Sequence, residues 1–201
     1  FAVNMLHRHR LNHFCTSYST SGRLSVSVRL VVLYSTAGGS YSLSANPLCF
    51  AHNLYCNGDL VMDLIVPDGI RGIRPYAFYN CTGLMEIELP ASLSIGNKYY
   101  AGQNDAFEGC AEVRTVRLTG TGEMAQHDYV RCTPWGRTEQ QVSVIIEAGI
   151  TSISASAFEN CTNLVSISIP ESVTSIGDSA FYGCTGLTEI ELPGSLESVG
   201  S

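Results

Sequence analysis

The sequence predicts a repeat solenoid, an elongated stack of similar turns with one short parallel strand per rung, mostly β and loop. Two observations predict it. An apolar pattern returns at a spacing close to 23 residues, and most copies contain a strand-like run followed by a compact apolar half-turn. A period in this range marks units that cannot bury an apolar face alone and do so by stacking on their neighbours.

The clearest copy is the stretch "LVSISIPESVTSIGDSAFYGCTG", residues 164–186. Leu164, Ile167 and Ile169 precede Pro170, then come Val173, Ile176, Ala180, Phe181 and Cys184, and Leu187 restarts the pattern after 23 residues. Gln141 stands one period upstream, with Val144, Ile146, Ile150, Ile153, Ala157, Phe158 and Cys161 on the matching positions. Further back, Val61, Leu64, Val66, Pro67, Ile70, Ile73, Ala77, Phe78 and Cys81 repeat it, and Leu84 restarts it. Two repeats between these are interrupted. The unit 84–112 carries an insert near "GNKYYAGQND", and the unit 113–140 loses its Ala-Phe pair, leaving Trp135 as the expected anchor of a loop.

Each position within a unit has a physical reason. Side chains alternate along a strand, so Leu164, Ile167 and Ile169 face inward while Val165, Ser166 and Ser168 face solvent. The same alternation sends Glu86, Glu88, Arg114, Arg117, Val142, Glu189 and Glu191 outward. Strands stacked about 4.8 Å apart satisfy one another's backbone groups, and six to eight rungs give a body roughly 30 to 40 Å long. Pro67, Pro90, Pro170 and Pro193 end the strand by removing a donor from the ladder. Phe78, Phe107, Phe158 and Phe181 form an internal aromatic spine, each contributing a few kcal/mol through burial.

Asn80, Gly109, Asn160 and Gly183 precede the repeated cysteines. These are the residue types that best tolerate positive φ, which predicts a left-handed turn position. The "NCT" sequences at Asn80 and Asn160 therefore read as backbone chemistry before glycosylation. Of the eight cysteines, Cys81, Cys110, Cys161 and Cys184 recur at one place in the unit, as a buried ladder of small apolar side chains requires. Cys49, Cys56 and Cys132 lie in irregular segments and leave their pairing open. With no CxxC, a zinc ribbon is disfavoured.

The stretch "IPESVTSIGDSAFYGCTGLTEIELP" resembles the leucine-rich repeat of the BspA-like type, found in surface proteins of bacteria and some parasitic protists. "LTGTGEMAQHDYVRCTPW" resembles an interrupted repeat of that family, and "NPLCFAHNLYCNGDLVMDLIVP" its Asn-Pro-Leu variant. The resemblance covers residues 46–201 and implies a right-handed, leucine-rich-repeat-like solenoid, with an unassigned segment 1–45 before it. The broken last unit at Gly200 and Ser201 suggests an array truncated at both ends.

Charge is uneven. Residues 1–60 carry a net charge of +3 and the remainder −10, giving −7 for the chain. The acidic repeats offer no basic stripe for nucleic acid, and acidity suits solubility and basic partner surfaces. No run approaches the roughly 18 apolar residues of a membrane helix, and the opening lacks the apolar core of a secretory signal. His7, His9, His13 and Cys15 are suitable metal ligands by type, although a poorly ordered terminus is the favoured reading. "LSVSVRLVVLY", residues 24–34, alternates as a strand and fits a degenerate first rung.

Catalytic patterns are missing: neither a G-x-S-x-G elbow, nor H-E-x-x-H, nor a phosphate-binding loop occurs, and "GTGEM" is a turn. His127 and Asp128 have no nucleophile beside them in the sequence. The expectation is a monomer without cofactor or metal. By resemblance it is a secreted or cell-surface module that binds a protein ligand in adhesion, through Glu86, Glu88, Arg114, Arg117, Glu189 and Glu191. The alternatives are spacer repeats or an accessory domain of a larger surface enzyme.

Overall fold

A computed structural model describes residues 24–25, 55–56, 59–68, 72–73, 78–95, 106–125, 133–137 and 140–201. One parallel sheet runs through the stack. It is built from β1 (Leu24–Ser25), β4 (Asp63–Ile65), β6 (Glu86–Pro90), β8 (Thr115–Thr119), β10 (Val142–Ile146) and β12 (Leu164–Ser168), in that spatial order. Consecutive rungs pair in register along the inner face: Leu64 with Ile87, Ile87 with Val116, Val116 with Val144, and Val144 with Ile167. Leu64, Ile87, Val116 and Val144 are buried. The period of two thus becomes one continuous inner column of aliphatic side chains.

The second half of each unit contributes a shorter strand as well. β9 (Gly122–Glu123), β11 (Ile150–Ile153), β13 (Ser175–Ile176) and β14 (Ser198–Val199) form a second parallel sheet, while β5 (Gly72–Ile73) pairs with β7 (Ser94–Ile95). These strands accompany the expected strand of each rung, and β9 puts a short strand inside the "GTGEM" that the sequence reads as a turn, because Gly122 and Glu123 pair with β11 of the next rung. Ile73, Ile95, Ile153 and Ile176 all point into the core. β2 (Tyr55–Cys56) and β3 (Asp59–Leu60) make an antiparallel hairpin. Asn57 and Gly58 stand between them, the pair most favoured in two-residue hairpin loops.

Prolines mark the corner between the two sheets. The carbonyls of Pro90, Pro170 and Pro193 accept hydrogen bonds from the amides of Leu93, Val173 and Leu196, at 2.9, 3.1 and 3.2 Å. Each bond closes a four-residue turn, the first at the end of β6 and the second just after β12. Ser172 and Ser195, two residues past their prolines, donate from Oγ to the carbonyls of Ile150 and Val173 in the preceding rung, at 2.7 and 2.9 Å. The corner is therefore fastened to the turn below it.

The aromatic spine forms. Phe78 stacks on Phe107 with centroids 5.1 Å apart, and Phe158 on Phe181 at 5.4 Å. Trp135 occupies the spine in the interrupted unit, 5.5 Å from Phe158 and wholly buried. It is carried by a short helix α1 (Pro134–Arg137) where the sequence suggested a loop. Proline suits the first helical position, and Thr133 caps the turn: its Oγ1 accepts the Gly136 amide at 3.2 Å.

Asn80, Asn160, Gly109 and Gly183 all have positive φ, between 56° and 79°, as the repeat pattern requires. Ser156 and Ser179, at φ 54°, also lie in the left-handed region, which the sequence did not announce. Cys81, Cys110 and Cys161 are buried free thiols and Cys184 is partly so. Cys110 and Cys184 donate from sulfur to the carbonyls of Phe78 and Phe158, at 3.1 and 3.0 Å, tying thiol ladder to aromatic spine.

One expected placement is corrected. Val142 is buried rather than outward, and it is Val142, not the exposed Gln141, that stands opposite Leu164. Val142 pairs with Leu164, whereas Ser143 pairs with Ser166, so the register slips by one residue between them. Burying Val gains about 1.5 to 3 kcal/mol, whereas burying the Gln amide would desolvate it. The irregularity absorbs the one-residue difference.

Candidate binding surface

Two outward columns run across the main sheet. One joins Asp63, Glu86, Thr115, Ser143 and Ser166; the other joins Ile65, Glu88, Arg117, Ile145 and Ser168. Their spacing follows from strand alternation within each rung and parallel register between rungs. Asp63, Ile65, Glu86, Glu88, Thr115 and Arg117 line a shallow trough across β4, β6 and β8. Its β4 end is acidic and its β8 end carries a guanidinium. Beyond β8 the first column becomes hydroxylic, and Ser166 donates to Ser143 Oγ at 2.8 Å.

Of the six residues singled out by the sequence, Glu86, Glu88 and Arg117 meet in this trough. Arg114 is exposed immediately before β8. Glu189 and Glu191 are exposed beyond β12, so β10 and β12 separate them from the trough. Glu88 and Arg117 are register partners. Two further acids hold the arginines. Arg117 reaches Glu147 at 3.3 Å and Arg114 reaches Glu112 at 3.4 Å. The second pair is exposed and contributes little, about 0 to 1 kcal/mol. Glu147 follows β10 in the next rung, a relation that only the stacking creates.

Asp63 and Ile65 complete the trough from the side of β4. Their signal was the period itself, which places Asp63 one unit before Glu86. Among the described residues, no group of three or more His, Cys, Asp or Glu side chains is arranged to hold a metal ion. No helix among them is long and apolar enough to cross a membrane. The candidate ligands His7, His9, His13 and Cys15, the loop residues His127 and Asp128, and Cys49 and Cys132 lie outside the described residues. Cys56 is described only as backbone in β2.

Stacked rungs, a paired second sheet and an aromatic spine define a parallel β-solenoid of the leucine-rich-repeat class. The chain belongs to the BspA type leucine-rich repeat family, whose model matches residues 50–133 and 136–201 in 6 copies. Among solved structures, a leucine-rich repeat protein of T. pallidum is 26% identical, with 70% of this chain and 52% of that one covered and a TM-score of 0.35. A leucine-rich cell surface protein of Faecalibacterium prausnitzii is 24% identical, covering 74% and 38%, with a TM-score of 0.38. A leucine-rich repeat protein of Eubacterium ventriosum is 16% identical, covering 73% and 43%, with a TM-score of 0.45. The chain thus spans about half or less of the length of these proteins. No curated protein matches it.

Proposed function

We propose that this chain is a non-catalytic protein-binding module of a secreted or cell-surface protein, working in adhesion, and that the outer face of its six-stranded sheet is the contact surface. The observation that carries the proposal is the pair of outward columns, which hold acidic, basic, aliphatic and hydroxyl groups in fixed register on a rigid sheet. A repeat array offers such a face as an extended platform, where binding depends on what its exposed strand positions present. Membership in a repeat family supports interaction over catalysis. A relative described as a cell surface protein supports the location.

The test uses the whole chain as bait against extracellular and cell-surface proteins, beside a variant with Glu86, Glu88, Glu189 and Glu191 reversed to Lys. Specific capture that is lost in the variant is the expected result. Equal capture by both removes the face from the proposal. A folded bait that captures nothing favours the spacer reading instead.

A further inference from the structure

One juxtaposition on the outer columns works against the fold. Register partners on one face of a sheet stand about 4.8 Å apart, and like charges placed so destabilise the pair. Asp63 and Glu86 are such partners, and Glu88 follows on the same face of β6. The same column continues through Thr115, Ser143 and Ser166, so the solenoid itself has no need of charge at that position. A local rule broken without structural gain marks a functional place. The second column shows what carboxylates on this face hold. Arg117 stands in register with Glu88 and reaches Glu147 at 3.3 Å, so its guanidinium is served by acids of the rung before and the rung after.

We propose that the β4 end of the trough, between Asp63 and Glu86, seats a lysine or arginine side chain from an extended segment of a protein partner. A cation there relieves the repulsion between the two carboxylates, as Arg117 does for Glu88 and Glu147 one rung on. Half-buried Ile65, the register partner of Glu88, offers aliphatic surface to the stem of the incoming side chain. Arg117 fills the neighbouring seat itself and so competes with the partner for the acids around it. This proposal rests on the outer face being the contact surface, and it names the chemistry of what that face contacts.

The probe is a labelled peptide of alternating threonine and lysine, titrated into the whole chain by fluorescence anisotropy at physiological salt, beside the same peptide with glutamine for lysine. Saturable binding of the lysine peptide alone is expected. Asp63→Asn with Glu86→Gln weakens it about threefold or more, the size of one or two lost charge pairs. Glu123→Gln with Glu171→Gln removes as much charge from exposed positions outside the six-stranded sheet and leaves binding unchanged. Arg117→Ala tightens binding, because a second seat opens. Asp63→Asn alone leaves the unfolding midpoint of the free chain unchanged or higher, which separates lost binding from lost folding. Three outcomes overturn the proposal: no saturable binding, equal weakening by the two double variants, since net charge alone then attracts the peptide, or weaker binding after Arg117→Ala. In the capture experiment, a partner that survives Asp63→Asn with Glu86→Gln but is lost when the four glutamates are reversed removes this seat and leaves the platform. A partner lost in neither removes both.

Discussion

At the scale of single residues, the turn before each cysteine joins backbone conformation to packing between rungs. Asn80 and Asn160 occupy the left-handed position in one rung, and Gly109 and Gly183 occupy it in the next. A Cβ on Gly183 would lie 2.4 Å from Asn160 Oδ1, and one on Gly109 would lie 2.0 Å from Asn80 Oδ1. Asparagine's carboxamide therefore fills the space that its successor leaves open. Gly183→Asn satisfies the φ requirement yet overfills the site, and about 1 to 3 kcal/mol of destabilisation is expected. Adding Asn160→Gly should recover most of that loss. Denaturant midpoints around the double-mutant cycle measure the coupling, and additive effects would show that the two positions are independent. Sequence alone made the left-handed turn legible through its Asn/Gly choice. It did not reveal the side-chain wedge, because that contact joins residues 23 or 29 positions apart.

At the scale of elements, the interrupted unit shows how a repeat survives the loss of its consensus. Elsewhere the spine phenylalanine's own amide bonds to the alanine carbonyl of the next rung: Phe78 to Ala106 and Phe158 to Ala180, both at 2.8 Å. In the interrupted unit the Trp135 indole N–H donates to the Ala157 carbonyl at 3.0 Å. One side chain therefore supplies both the ring and a bond to the same kind of acceptor. Trp135→Phe keeps a ring but leaves a buried carbonyl without that donor, so a loss of about 1 to 3 kcal/mol is expected. Trp135→Ala also removes the ring and should cost about 3 to 5 kcal/mol. Thermal unfolding followed by circular dichroism distinguishes them; a Trp135→Phe chain as stable as the parent would deny the indole bond its role. The sequence marked Trp135 as an anchor, but α1 and its Thr133 cap emerged only in the structure. A four-residue helix has too little periodicity to announce itself.

Across the whole molecule, the thiol ladder gives folding a defined response to alkali. Burial raises the Cys81 thiol from its ordinary value of 9.0 to about 12. It pushes Cys110 and Cys161 up as well, each aided by a neighbouring ladder thiol, and raises the half-buried Cys184. A raised folded-state value means that the unfolded thiol ionises first. The stability associated with these groups is complete below pH 9.0 and is lost as pH climbs towards 12. Urea midpoints should therefore fall above about pH 9, and a Cys81→Ala, Cys110→Ala chain should show a shallower fall. Identical slopes in the two chains would assign the alkaline loss to other groups. The period, prolines, inward aliphatics, phenylalanine spine and cysteine ladder were all legible in the sequence, because each recurs at one position of a local unit. Register between units belonged to the tertiary structure: the slip that buries Val142 and the pairing of Arg117 with Glu147. A strand's inward residues are set by its own alternation, but whether it becomes a strand at all depends on neighbours that its sequence does not contain.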